Sequence, residues 1–197
     1  MKKTVYFRAF EESDAELIYN WMNDDSLKKM TVGLNRRMCM DEVVDWVKAR
    51  MRHDPYQVWW AVCSTETNEM IGYTCLVNIH YINSSCETGA ILIGNPAYND
   101  GFAWIESVYH LFEYAFESLG LNRVYGVSLE GHPMSGKIGE LMFMQREGVL
   151  RQAAFKNGKF YDLLYDAILK DEYFAHKDAG DYEMKSIIKR LRKIRHE

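Results

Sequence analysis

Cysteine is scarce in this chain, and what there is does not pair. The four residues Cys39, Cys63, Cys75 and Cys86 form no Cys-x-x-Cys motif, and no histidine stands at zinc-ligand spacing from them. This argues against a disulfide-stapled scaffold or a zinc ribbon, and the cysteines read as free thiols of a reducing compartment. No other constellation suggests a metal. No apolar run approaches the ~18 residues of a membrane span. The start, Met1-Lys2-Lys3-Thr4-Val5-Tyr6, is basic but lacks an apolar stretch, so no signal peptide is read. The expectation is a cytoplasmic protein. Internal repeats and low-complexity segments are absent. Only three prolines occur, and each sits at an element boundary: Pro55, Pro96 and Pro133. The net charge of −4 supplies no overall attraction to nucleic acid.

What is present is core material. Of 197 residues, 48% are hydrophobic and 14% aromatic, enough for one domain or a domain with a small appendage. Thr4–Ala9 reads as a strand, and Ser13 opens a helix through a capping box, with Leu17, Ile18, Trp21 and Met22 as its stripe. Asp41–Arg52 reads as a second helix with Val43, Val44 and Val47 on one face. Strands follow at Gln57–Ser64, Met70–His80 and Cys86–Gly94. The loop Asn95–Gly101 leads into the clearest helix, Phe102–Leu119, which Gly120 ends in the manner of a left-handed cap. Arg123–Leu129 is a strand, and Pro133 begins a helix running to about Met144. Gly148–Phe155 and Tyr161–Leu169 form a hairpin on the turn Asn157-Gly158. Asp171–Tyr182 is polar. Met184, Ile187, Ile188, Leu191 and Ile194 then stripe a short helix whose other face is basic. The pattern predicts a mixed α/β sheet in a core domain of residues 1–169, with an amphipathic extension over 170–197. The basic face has three readings: a solvated surface whose apolar side docks on the core or on a second subunit, an RNA or ribosome contact, or an anionic membrane contact.

Four stretches, in this order, are similar to those of a known family. They are Phe7-Arg8-Ala9-Phe10-Glu11-Glu12-Ser13-Asp14, then Gly89 to Tyr98, then Gly101-Phe102-Ala103 through Arg123-Val124, then Glu147 to Arg151 with Lys156 to Asp162. Together they resemble the GNAT acetyltransferases, within them the branch of the ribosomal-protein alanine acetyltransferases and the spermidine acetyltransferases. The resemblance spans residues 4–169. It implies an α/β (α+β) fold with a mostly antiparallel, seven-stranded twisted sheet flanked by helices, and acetyl-CoA as co-substrate.

On that resemblance, the strands ending near Gly94 and Leu129 splay apart, and Leu92, Ile93 and Gly94 offer backbone groups to the pantetheine arm. Asn99, Asp100, Gly101, Phe102 and Ala103 form the turn where a helix N-terminus receives the diphosphate. The family usually has two or three glycines in this turn; here only Gly101 remains, and Asp100 adds negative charge. A second departure is His132-Pro133-Met134-Ser135, where the family commonly reads Asn-x-x-Ser. The family's tyrosine in the following helix falls near Gly139 and is missing.

Acetyl transfer requires a neutral amine, a donor for the carbonyl oxygen and a proton for the leaving sulfur. Glu87 is read as general base, against an exposed strand carboxylate. Ser135 is read as proton donor to the thiolate, against a helix-turn hydroxyl. His132 is a second acid or base near neutral pH, against a loop histidine capping the helix. His80 and Tyr81 are read as substrate-side lining, against a solvated strand end. Of Trp59 and Trp60, alternating across one strand, one faces the core, and Trp60 is assigned to the acceptor pocket. The acceptor reading is a small-molecule amine such as a polyamine or amino sugar. The alternatives are a protein N-terminus, or a GNAT-fold binding module without catalysis. A homodimer is plausible for the family.

Overall fold

The computed structural model describes residues 4–28, 31–32, 36–99, 101–132 and 139–194, with side chains to 191. The strands are β1 (Val5–Arg8), β2 (Val58–Ser64), β3 (Met70–His80), β4 (Ser85–Ile93), β5 (Arg123–Leu129), β6 (Gln145–Lys156) and β7 (Lys159–Leu169). The helices are α1 (Ala15–Asn23), α2 (Asp25–Lys28), α3 (Met40–Met51), α4 (Phe102–Glu113), α5 (Lys170–Asp178) and α6 (Met184–Ile194). The seven strands take the order β1-β2-β3-β4-β5-β7-β6. β4 and β5 run parallel, whereas β1–β2, β2–β3, β5–β7 and β6–β7 are antiparallel. Two compact units divide the chain, one of residues 2–79 with 89–108, the other of residues 80–88 with 109–197.

In the first unit, alternation along β2 sends Ala61 and Cys63 to one face of the sheet and Val62 to the other. Ala61 and Cys63 join Phe10, Ile18, Trp21, Val43, Val47 and Tyr73, so α1 and α3 cover that face. Val62 packs with Val5, Ile71 and Ala103 of α4. The capping box expected at Ser13 is displaced. Asp14 instead accepts from the Glu11 N–H at 2.8 Å, after a 3-10 turn over Glu12–Asp14. The same carboxylate takes both Arg8 Nη atoms, at 2.8 and 2.7 Å. The Arg8…Asp14 spacing is therefore a bidentate pair tying β1 to the entrance of α1.

In the second unit, Phe112, Phe116 and Tyr173 form an aromatic cluster, with Phe116 and Tyr173 stacked at 4.8 Å. The helix expected to run regularly to Leu119 widens into a π-helical turn at Tyr114–Ser118. Gly120 follows at φ 67°, as the cap requires. Asn157 and Gly158, at φ 49° and 78°, make the tight hairpin turn. The segment read as polar contains α5. Few apolar residues announce it; Tyr173 alone among them is fully buried, and its hydroxyl donates to Glu117. The Leu169 N–H is capped by Glu172 at 2.9 Å.

Candidate functional site

The β4–β5 ladder is short. It runs from Ser85 opposite Arg123 to Thr88 opposite Gly126, and no further β4–β5 pair follows among the described residues. On its other side β5 stays paired with β7 as far as Leu129 opposite Leu163. Gly126 makes the last rung possible: a β-carbon there would stand 2.8 Å from Thr88 Oγ1. From Gly89 to Ile93, that edge of β4 thus has no strand partner among the described residues.

The other edge of β4 is committed. A β-carbon on Gly72 of β3 would lie 2.1 Å from the Leu92 carbonyl oxygen, so Leu92 turns that group toward β3. The N–H groups of Gly94 and Asn95 both donate to the Ile71 carbonyl, at 2.9 and 3.1 Å. Of the residues assigned to the pantetheine arm, Gly94 has therefore already spent its donor. Leu92 and Ile93 are half-buried, and each packs its side chain into the core of this unit.

The turn beyond is fastened at several points. Asn95 Oδ1 accepts from the Ala97 N–H at 3.0 Å, over a 3-10 turn at Pro96–Tyr98. Tyr98 donates its hydroxyl to Ser64 at 2.8 Å. Asn99 is exposed, and Gly101 adopts φ 92°, a left-handed conformation that glycine tolerates without strain. Among the described residues, the first helical bond of α4 runs from Ile105 N–H to Gly101 C=O at 3.1 Å. The amides of Ala103 and Trp104 have no carbonyl four residues back within the helix, and the dipole adds partial positive charge there. Ala103 is buried, so its contribution to a ligand is its main chain. Glu106, one turn on, would oppose an anion, but its carboxylate is turned away. It accepts from Thr4 N–H, Thr4 Oγ1 and Val5 N–H at 3.0–3.1 Å. Asp100 lies outside the described residues.

The residues assigned to proton transfer and acceptor lining belong mostly to the second unit. Glu87 is half-buried on β4, in register with Tyr125. Its charge and, above all, burial push the neighbouring Cys86 thiol up to about 12. His132 is half-buried just past β5, where its N–H donates to Leu129 C=O at 3.1 Å. Burial lowers the imidazole pKa from its ordinary 6.5. Ser135 lies outside the described residues. His80 and Tyr81 are exposed where β3 ends. His80 Nδ1 accepts from the Asn83 N–H at 3.0 Å, which commits that nitrogen to closing the turn. Trp60 belongs to the first unit, half-buried on β2 opposite Thr74.

Sequence reasoning missed Asp166. This buried carboxylate on β7 is held by Arg146 and sits in register with Gly126, the last residue of the ladder. A β-carbon on Gly139 would stand 3.4 Å from it. The place where the family's tyrosine falls is thus beside an ion pair. No local signal marks Asp166, because its partners come from three other segments. Among the described residues no group of three or more His, Cys, Asp or Glu is placed to hold a metal, and no helix is long and apolar enough to cross a membrane.

The acetyltransferase (GNAT) domain family matches residues 4–142. The chain is similar to the uncharacterized N-acetyltransferase YoaA of Bacillus subtilis (strain 168), 26% identical over 168 residues, 84% of this chain and 93% of the relative. It is also similar to the spermidine N(1)-acetyltransferase of Vibrio cholerae serotype O1, 25% identical over 173 residues, 88% of this chain and 97% of the relative. Among solved structures, the spermidine N-acetyltransferase from Vibrio cholerae in complex with CoA and spermine superposes with a TM-score of 0.78 at 22% identity, over 88% of this chain and 99% of that one. At that identity the likeness establishes the fold.

Proposed function

This chain belongs to the GNAT acetyltransferases, and we propose that it moves an acetyl group from acetyl-CoA to the primary amine of a small molecule. The observation that carries the reading is the Gly101 turn: a left-handed glycine delivering the chain into the N-terminus of α4, directly after a strand with one open edge. The residues present fit acetyl-CoA. Ala103 and Trp104 offer main-chain amides to a diphosphate, with Gly101 allowing close approach, and Gly89 to Ile93 offer the open edge of β4 to the pantetheine arm. Two polar side chains near this single glycine are turned elsewhere, Tyr98 to Ser64 and Glu106 to Thr4, which supports the role.

Acetyl-CoA brings the activated acyl group as a thioester. The chain's own task is to hold the amine and manage protons. Glu87 takes the proton that an ammonium acceptor must lose, directly or through a water. His132, whose burial favours the neutral imidazole, is read as a second proton acceptor. Ser135 is the hydroxyl assigned to the leaving sulfur. Trp60, His80 and Tyr81 are assigned to the acceptor. Positioning supplies most of the acceleration in this chemistry, up to ~7–11 kcal/mol.

Calorimetric titration with acetyl-CoA, followed by thiol-release assays on amines and on peptides with free N-termini, tests the proposal. Micromolar binding and turnover with small amines is the expected result. Turnover with peptides alone transfers the assignment to a protein N-terminal acetyltransferase. No heat and no thiol release leaves a binding module and overturns the proposal.

A further inference from the structure

Arg50, in the last turn of α3, sits in the corner made by two indoles, whose rings meet at 77°. Its guanidinium carbon lies 3.7 Å from the ring centroid of Trp46 and 4.4 Å from that of Trp59. The clamp is fixed from outside. Trp59 Nε1 donates to Gln57 Oε1 at 2.8 Å, and Gln57 Nε2 donates to Asp54 Oδ2 at 2.6 Å. Arg50 itself donates Nη1 to the Trp46 carbonyl at 3.1 Å. Its Nε is buried and has no acceptor.

Four arginines of this chain are half-buried among the described residues, namely Arg8, Arg50, Arg123 and Arg190. Three are paired with carboxylates: Arg8 with Asp14, Arg123 with Glu147 and Arg190 with Asp181. No carboxylate of the described residues stands within ion-pair reach of Arg50. Desolvation lowers its pKa, offset only in part by Cys75 and Tyr73 and by no carboxylate. Stacking on tryptophan compensates part of a cation's desolvation. The Nη donors of the Arg50 fork that are not given to the Trp46 carbonyl have no acceptor among the described residues.

The position of this fork is informative. Trp59 stands opposite Cys75 on β3, and Cys75 lies close enough to act on the Arg50 charge. On the same face, a β-carbon at Gly89 of β4 would meet Cys75 Sγ at 2.4 Å. Gly89 is the first residue after the last β4–β5 pair, where the open edge begins. The guanidinium thus belongs to the face of the sheet that Trp59, Cys75 and Gly89 share.

We propose that Arg50 receives an oxyanion carried by the acceptor, so that the preferred amine bears a carboxylate or a phosphate. This rests on the acetyl-transfer reading above. The Nη donors left over from the Trp46 carbonyl meet the anion and select against neutral or purely cationic amines.

The test compares matched amines by thiol release on the full chain: β-alanine with its amide, 2-aminoethyl phosphate with ethanolamine, and spermidine. Wild type is expected to show a kcat/KM at least about tenfold higher for the anionic member of one pair, since a hydrogen-bonded charge contact corresponds to about ten- to a hundredfold. The pair that responds distinguishes carboxylate from phosphate. Arg50→Met, which keeps an unbranched chain against the indoles, is expected to collapse that ratio toward one, and Arg50→Lys to restore part of it, with thermal melts confirming that both variants fold. The inference is overturned if the wild type shows no preference for the anion, if only spermidine or peptides are acetylated, or if Arg50→Met lowers both members of a pair equally. Those outcomes leave acetyl transfer standing. Absence of acetyl-CoA binding and of thiol release from every amine overturns the transferase reading itself.

Discussion

Gly94 lies flat against the indole of Trp21: a β-carbon at position 94 would meet three ring atoms at 2.3–2.5 Å. The contact joins the end of β4 to α1, and it fixes the point from which the chain sets out toward Gly101. The Gly94 N–H is held at the same place by Ile71. A Gly94→Ala substitution overpacks this contact and is expected to cost about 2–3 kcal/mol. In a chain of this size that is a fall in Tm of roughly 5–10 °C, readable by calorimetry. An unchanged Tm would show that Trp21 yields without cost.

The turn at Gly101 makes a separate demand. At φ 92° a β-branched residue is strained by roughly 1–3 kcal/mol. Gly101→Val is therefore expected to move the start of α4 and to weaken acetyl-CoA binding about tenfold or more. Circular dichroism is expected to show the fold retained. Calorimetric titration of both proteins with acetyl-CoA checks this, and equal affinities would remove the turn from the cofactor site.

For the general base, the expected outcome is kinetic. Glu87→Gln keeps the shape of the side chain and removes its charge. A fall in kcat of about a hundredfold or more at pH 7 is expected, partly offset at higher pH as the amine deprotonates by itself. A rate profile that overlays the wild type across pH 6–9 would exclude Glu87 from proton removal.

The pH dependence of stability follows from His132. Burial lowers its folded pKa below the ordinary 6.5, whereas the unfolded chain retains that value. Above 6.5 both states are neutral, and the group is without effect. As pH falls below 6.5 the unfolded state takes up the proton first, and stability is lost down through the lowered folded value. Urea midpoints at pH 7.5 and 5.5 are expected to differ more in the wild type than in His132→Gln. An equal loss in both would place the acid sensitivity elsewhere.

Much of this fold was legible in the sequence because its signals are local. Seven strands and the main helices announce themselves by alternation and helical periodicity, and Gly120 and the Asn157-Gly158 turn by the positive φ that they tolerate. Local competition misled the reading in two places. Ser13 and Asp14 are equal N-cap types, yet it is Asp14 that accepts from the Glu11 N–H, with Arg8 from β1 holding its carboxylate in place. Helix α5 shows too few apolar residues to be read, and it is anchored by Tyr173 in a pocket made by Phe112 and Phe116.

The sequence by itself determined the order of elements, the family resemblance and the glycine that must precede α4, since backbone propensity and spacing are properties of neighbouring residues. Tertiary structure alone decided which polar groups remain unspent. It assigned the Gly94 N–H to Ile71, turned Glu106 back to Thr4, set Asp166 beside Gly139 and left Arg50 against two indoles with no carboxylate partner among the described residues. Hydrogen bonds and ion pairs are closed by residues far apart along the chain, so a one-dimensional pattern names the donors and does not say which of them are already taken.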